Sequence, residues 1–306
     1  MSKDARMPSA TATARPHWRG VAILALVTAL WGTTFVVIKD TVASMSPSVL
    51  IVGRFGLAAL VLLPLVIRER DRDTWRAGLD LGFWLWLGYV TQAQGLVYTS
   101  ASRSSFITAV SVVLVPVFAG LLGRRMGWPT WLAACLAFVG VGLMSYDGSQ
   151  PNLGDAWTAV TAVSYAIYIL RLEGYARRHE PWSLTVTQLW GVVPFALAWL
   201  AAEATFGHLA VPTDGAVPWL AVAYLALVST VLTTWLMIVG QQSVSAPEAA
   251  VIYSSEPLWA SSFAFVLLGE RFGPKGVLGG ALIIAAILVS QLPELRRYRA
   301  RAQPRR

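Results

Sequence analysis

The chain has 306 residues, 56% of them hydrophobic and only 13% charged, with a formal net charge of +8. Soluble domains carry about 25% charged residues. Here apolar runs of about 18 or more residues, each able to cross a hydrocarbon core of roughly 30 Å, recur along the whole length, which excludes a pair of soluble domains. The single cysteine, Cys135, excludes a disulfide or a cysteine metal cluster within the chain.

The first 20 residues are polar and basic. Their Ala-x-Ala-like triplets precede the first apolar run, the wrong order for a cleavable signal. Residues 1–18 are therefore expected as a tail and the first run as an anchor. Ten spans are predicted, at about 19–38, 48–67, 80–98, 103–123, 128–146, 154–171, 183–202, 217–239, 247–268 and 275–292. Each is apolar nearly all round, as expected of helices that face lipid and other helices. Pro47, Pro129, Pro181 and Pro247 fall at helix starts, where a missing N–H costs little.

Lys and Arg set the orientation. With the N-terminus inside, the inner segments hold most of them, and the outer loops hold only Lys39, Arg103, Arg271 and Lys275. The pattern predicts a multi-pass protein of the inner (plasma) membrane with both termini cytoplasmic. The basic tail at 293–306 then touches anionic lipid heads. No motif gives the positive charge a nucleic-acid role.

The chain repeats itself. SASRSSFI (100–107) lines up with SAPEAAVI (245–252), and VTALWGTTFVVIK (27–39) with VTAVSYAIYILRL (160–172). SPSVLIVGRFG (46–56) lines up with EPWSLTVTQLW (180–190), setting Arg54 over Gln188. The predicted fold is an all-α membrane protein of two five-helix repeats, 19–146 and 154–292, around a central cavity. An odd number of spans per unit inverts the second relative to the first, the architecture of alternating access.

LWGTTF (30–35), GRFGLAAL (53–60), TSASRSSFI (99–107), SEPLWA (255–260) and LLGER (267–271) together resemble the ten-helix, two-EamA-domain members of the drug/metabolite transporter superfamily. The resemblance implies a secondary active or facilitative transporter, with export of amino acids, related metabolites or drugs as the expected direction. It names no particular solute.

Within that frame Glu256 is a lone carboxyl near mid-span. Such a group costs on the order of 2.5–3.5 kcal/mol in a bilayer by insertion scales, so it faces a cavity or a partner. It is the proton-coupling candidate, because removal from water favours the neutral form of a carboxyl; a purely structural acid is the other reading. Arg54 lies about 9 Å into the second span at 1.5 Å per residue. It snorkels to the surface, pairs with Glu256 or binds a substrate carboxylate, and snorkelling or a structural role is the expectation. Trp31 and Thr34 share a face of the first span, as an aromatic platform or as packing. Gln92, Ser164, Tyr168, Thr233 and Tyr253 complete the substrate-binding candidates, set against plain interhelical hydrogen bonding. Pro116 and Pro257 are the expected interruptions of the fourth and ninth spans.

No Walker, HExxH or GxSxG pattern occurs, and His17, His179 and His208 are far apart. The chain is therefore expected to have no cofactor, metal or catalytic residues and not to be an enzyme. A polytopic membrane enzyme, a lipid-handling protein or a non-transporting scaffold is the alternative. The first two call for acids, His or Cys clustered at one membrane face, and the last for large loops. The small-residue faces of the fifth and tenth spans, including Ala133, Ala137, Gly140, Gly276 and Gly280, fit tight helix contact. They serve either a monomer or a homodimer.

Overall fold

The computed structural model describes residues 17–34, 37–38, 41, 45–146, 148, 150–206, 218–268 and 273–293. Of the expected tails, 1–16 and 294–306 lie outside the described residues, as do Lys39, His208 and the 269–272 turn; residues 17–18 already belong to the first helix. The described residues form helices and turns without a strand: α1 His17–Trp31, α2 Pro47–Val61, α3 Arg72–Tyr98, α4 Ala101–Thr108, α5 Ser111–Leu121, α6 Trp128–Ser145, α7 Leu153–Ala176 and α8 Pro181–Thr205. They continue with α9 Trp219–Ala226, a π-helical turn at Leu227–Leu232, α10 Thr233–Gln241, α11 Ala246–Tyr253, α12 Glu256–Leu268 and α13 Pro274–Ser290. A four-residue turn of helix, Leu63–Val66, follows α2.

Local chemistry starts these helices. Proline occupies one of the first two positions of α2, α6, α8, α11 and α13, where its missing N–H has no intrahelical partner to lose. The Asp71 side chain accepts from the Asp73 and Thr74 amides, satisfying donors left free at a helix start. That cap begins α3 at Arg72, well before the span expected from residue 80. Asn152 and Asp155 form a capping box at the start of α7.

Five helical stretches are long and apolar enough to cross a membrane: Ala101–Leu121, Trp128–Ser145, Leu153–Ala176, Pro181–Thr205 and Trp219–Gln241. His17–Trp31, Pro47–Val61 and Pro274–Ser290 are shorter apolar helices. Leu60, Ile67, Leu121, Leu220 and Leu288 point outward and are mostly exposed. Outward-facing apolar side chains of this kind fit helices that face lipid.

Inside, α3 lies against α7 and α8, α2 against α8 and α9, and α1 against α10, α11 and α12. α4 and α5 pack on α7, and α6 pairs along its length with α13. The α6–α13 contact is backbone on backbone. A Cβ on Gly140 would meet the Gly279 carbonyl at 2.7 Å, and one on Gly279 would meet the Gly140 carbonyl at 2.5 Å. The sequence singled out Gly276 and Gly280 for this role. Helix rotation brings Gly279 to the contact instead, while Gly280 faces Leu258.

Candidate functional site

Two helices are interrupted at the same register. α4 gives way to α5 at Ala109–Val110, and α11 to α12 at Ser254–Ser255, 145 residues later. The turns match closely, except that Pro257 has no amide N–H to answer the Val112 bond to the Ala109 carbonyl (3.0 Å). The Val110 amide donates to the Ile107 carbonyl (3.1 Å) and the Ser255 amide to the Ile252 carbonyl (3.0 Å). Likewise the Val113 amide donates to Val110 (2.9 Å) and the Leu258 amide to Ser255 (3.0 Å). Pro257 lacks the N–H that would have bonded Tyr253, which accounts for the second break. In the first copy the break lies upstream of Pro116, whose own position stays inside α5. Proline alone therefore does not set the register.

Both breaks open on one cavity. Trp31 and Thr34 line it from α1 and the turn after it; Leu85, Tyr89 and Gln92 from α3; Ser105, Thr108 and Ser111 from α4 and α5. Tyr165 and Tyr168 come from α7, Thr234 and Met237 from α10, and Tyr253, Ser254 and Glu256 from α11 and α12. Gly32 lets the end of α1 approach α12, since a Cβ there would sit 3.0 Å from the Ala260 nitrogen. Trp31 and Tyr253 form an aromatic pair, with ring centroids 5.5 Å apart and planes 46° apart. Tyr89 meets Tyr165 edge to face at 5.9 Å.

The lining is polar where it is least satisfied. Trp31 Nε1, Thr108 Oγ1 and the Tyr253 hydroxyl are buried and have no hydrogen-bond partner among the described residues. Glu256, the first residue of α12, is half-buried, and among the described residues no hydrogen bond or ion pair reaches its carboxyl. A buried donor without a partner costs about 1–3 kcal/mol. Groups of this kind around a cavity are what a polar ligand or water would satisfy. Among the described residues no group of three or more His, Cys, Asp or Glu gathers as a metal site.

Six of the nine candidates therefore meet at the cavity: Trp31, Thr34, Gln92, Tyr168, Tyr253 and Glu256. Ser164 and Thr233 do not; each hydroxyl bonds back to its own helix, Ser164 to Val160 O (2.9 Å) and Thr233 to Ser229 O (2.9 Å). Arg54 is 1% exposed and does not snorkel, which corrects that half of the expectation and leaves the structural half. Its Nε donates to Thr230 Oγ1 (2.5 Å) and its Nη2 to Ser229 O (2.9 Å) and Ser229 Oγ (3.2 Å). The π-turn makes this possible. It shifts backbone carbonyls out of the i→i−4 ladder, and Thr230 Oγ1 bonds five residues back to Leu225 O (2.7 Å). The guanidinium also lies 4.3 Å from the Tyr89 ring centre, so Tyr89 stands between Arg54 and the cavity. Among the described residues Arg54 makes no ion pair with Glu256.

Tyr89, Leu85 and Met237 were missed by the sequence reading. Leu85, Tyr89 and Gln92 recur at i, i+4 and i+7, one helix face, but the apolar members hid the stripe.

The EamA-like transporter family model matches this chain twice, over residues 18–146 and 152–291. An uncharacterized transporter of Archaeoglobus fulgidus is 32% identical over 272 residues, covering 88% of this chain and 84% of that one. A probable terminal-alkyne amino-acid exporter of Streptantibioticus cattleyicolor is 26% identical over 301 residues, covering 94% and 98%. A biotin transporter of Escherichia coli is 26% identical over 167 residues, about half of each chain. A solved crystal structure superposes with a TM-score of 0.72 at 16% identity, covering 91% of this chain and 98% of that one, a likeness of fold alone. The chain belongs to the EamA-like transporter family and is a multi-pass membrane transporter, not an enzyme.

Proposed function

We propose that this transporter moves a small organic solute through the central cavity by alternating access, as a secondary active or facilitative exporter. The observation that carries the reading is the pair of matched helix breaks, at Ala109–Val110 and Ser254–Ser255, opening on one cavity. Interrupted helices at corresponding positions of two repeats are the feature expected of such a site. The contact pattern supports a ten-span inverted repeat over 19–146 and 154–292. α3 on α7 is answered by α10 on α1, α4 on α7 by α11 on α1, and α5 on α7 by α12 on α1; α2–α8 and α6–α13 map onto themselves.

In this reading Trp31 and Tyr253 form the platform for the solute. Glu256 faces its cationic or hydrogen-bonding end, and Tyr168, Gln92 and Thr34 fix its orientation. A carboxyl without a protein partner can take a proton or a solute cation, one at a time, which couples the two. Arg54 acts behind Tyr89 by holding that ring and the π-turn. Amino acids, related metabolites and drugs are the solute classes to test, and the exporter name of one relative favours the first. The Lys and Arg pattern supports an inner-membrane location with both termini cytoplasmic. The small faces of α6 and α13 are spent on each other, which favours a monomer. The test is exchange in proteoliposomes loaded with labelled amino acids and metabolites. Saturable exchange that Tyr253→Ala abolishes supports the reading, and permeation indifferent to that substitution overturns it.

A further inference from the structure

The third residue of α4 is Arg103 and the third residue of α11 is Glu248. The repeat register that sets 100–107 over 245–252 sets these two residues over each other. Each makes an ion pair, and each pair joins the first turn of an interrupted helix to the start of the first helix of the other repeat. Arg103 grips Asp155 in the first turn of α7 with both prongs, Nε to Oδ1 at 2.6 Å and Nη2 to Oδ2 at 2.7 Å. Glu248 Oε1 accepts from Nε2 of His17, which opens α1, at 2.8 Å. The His17 Nδ1 meets the Ser243 carbonyl at 3.0 Å. With an acceptor on each ring nitrogen, His17 is held as an imidazolium.

The two pairs sit at opposite ends of the bundle. From Arg103 the chain runs through α4 and α5 to Arg124, about 30 Å at 1.5 Å per residue. Arg124 lines the same hollow as His17 and Glu248. The cavity lies between the ends, at the helix breaks. The polarity is also reversed: the interrupted helix contributes the cation at one end and the anion at the other.

We propose that Arg103–Asp155 and His17–Glu248 are symmetry-related latches, one parting when the pathway opens at the Arg103 end and the other when it opens at the His17 end. The proposal rests on the alternating-access reading. It assigns to each half-helix ahead of a break the role of a gate held at its first turn. A bidentate Arg–carboxylate fork is the stronger of the two devices, so the ends are not equally easy to open.

The test uses the full chain in vesicles with Cys135→Ser and the cavity reporter Ser111→Cys, labelled by a membrane-impermeant maleimide from either face. Asp155→Asn is expected to raise the labelling rate from the Arg103 end several-fold and to lower it from the His17 end. Glu248→Gln is expected to do the reverse, and the swap Arg103→Asp with Asp155→Arg to return the ratio toward that of the parent. If Asp155→Asn fails to assemble, Arg103→Lys keeps the charge, loses the fork and is read the same way. Unchanged face ratios, or both variants shifting the ratio in one direction, overturn the latches while leaving alternating access standing. Labelling from a single face in the parent and in every variant overturns alternating access itself.

Discussion

Ser111 and Glu256 hold equivalent positions 145 residues apart. Each is the first residue of the second half of an interrupted helix, and both face the cavity. The fold thus builds one kind of position twice and arms only one copy with a carboxyl. With no partner among the described residues, that carboxyl contributes nothing to stability and carries the cost of leaving water, on the order of 2.5–3.5 kcal/mol when charged. Glu256→Gln is therefore expected to melt at the same temperature as the parent or higher. The same variant should lose the pH dependence of transport. A large drop in melting temperature would instead mark Glu256 as a structural acid.

Arg54 is the opposite case. Its guanidinium satisfies Ser229 O, Ser229 Oγ and Thr230 Oγ1 and backs the Tyr89 ring. Arg54→Met strands those acceptors and is expected to cost about 3 kcal/mol, the upper range for hydrogen bonds to a charged group. Arg54→Lys should recover only part, because an ammonium cannot fork between Ser229 and Thr230. Denaturation in detergent reads both. A fully stable Arg54→Met would mean that the π-turn holds itself.

Gly140 and Gly279 bring the backbones of α6 and α13 together with no room for a Cβ. Gly140→Val is expected to destabilise by about 1–3 kcal/mol through overpacking, whereas Gly120→Ala, at a site with nothing within 4 Å, should be neutral or stabilising. Thermal melts of the two variants side by side check the contrast.

His17 lies ahead of the first span, and its hydrogen bond to Glu248 is the largest influence on it, pushing its pKa up to about 9 despite partial burial. The same hollow is lined by Arg124, Arg125 and Arg177. Glu173 takes two of these, Arg124 and Arg177, so Glu248 remains the acid for His17. A raised histidine pKa means that the link stabilises the fold when protonated. Its contribution is fully present below about pH 6.5 and is lost as pH rises through about 9. The parent should lose thermal stability across that window more steeply than Glu248→Gln. Parallel pH profiles would contradict the link.

The all-helical, membrane-spanning character was legible because apolar runs recur along the chain, and proline marked four of the helix starts. The repeat was legible as well, and with it the pairing of 100–107 with 245–252. The register of the helix breaks was not. Pro116 pointed seven residues too far along, and at Ala109 no sequence signal accompanies the matching turn. The π-turn at Leu227–Leu232 was equally silent, because apolar and hydroxyl residues there fit an ordinary helix. Arg54 could not be narrowed from snorkelling or structure for a related reason. Depth along a span says where a cation sits but not whether a neighbouring helix offers it carbonyls. Ser164 and Thr233 were picked by type, and a hydroxyl that bonds its own helix looks identical in sequence to one that faces a cavity.

The most direct measurement of the central claim is solute exchange by the reconstituted chain before and after the cavity is filled. Ser111→Trp places a large ring where both interrupted helices meet and leaves Glu256 and both ion pairs untouched. The account predicts that the parent exchanges at least one labelled amino acid or metabolite saturably, and that Ser111→Trp, folded and reconstituted equally, loses most of that exchange. Exchange that continues at the parental rate with the cavity filled would contradict it.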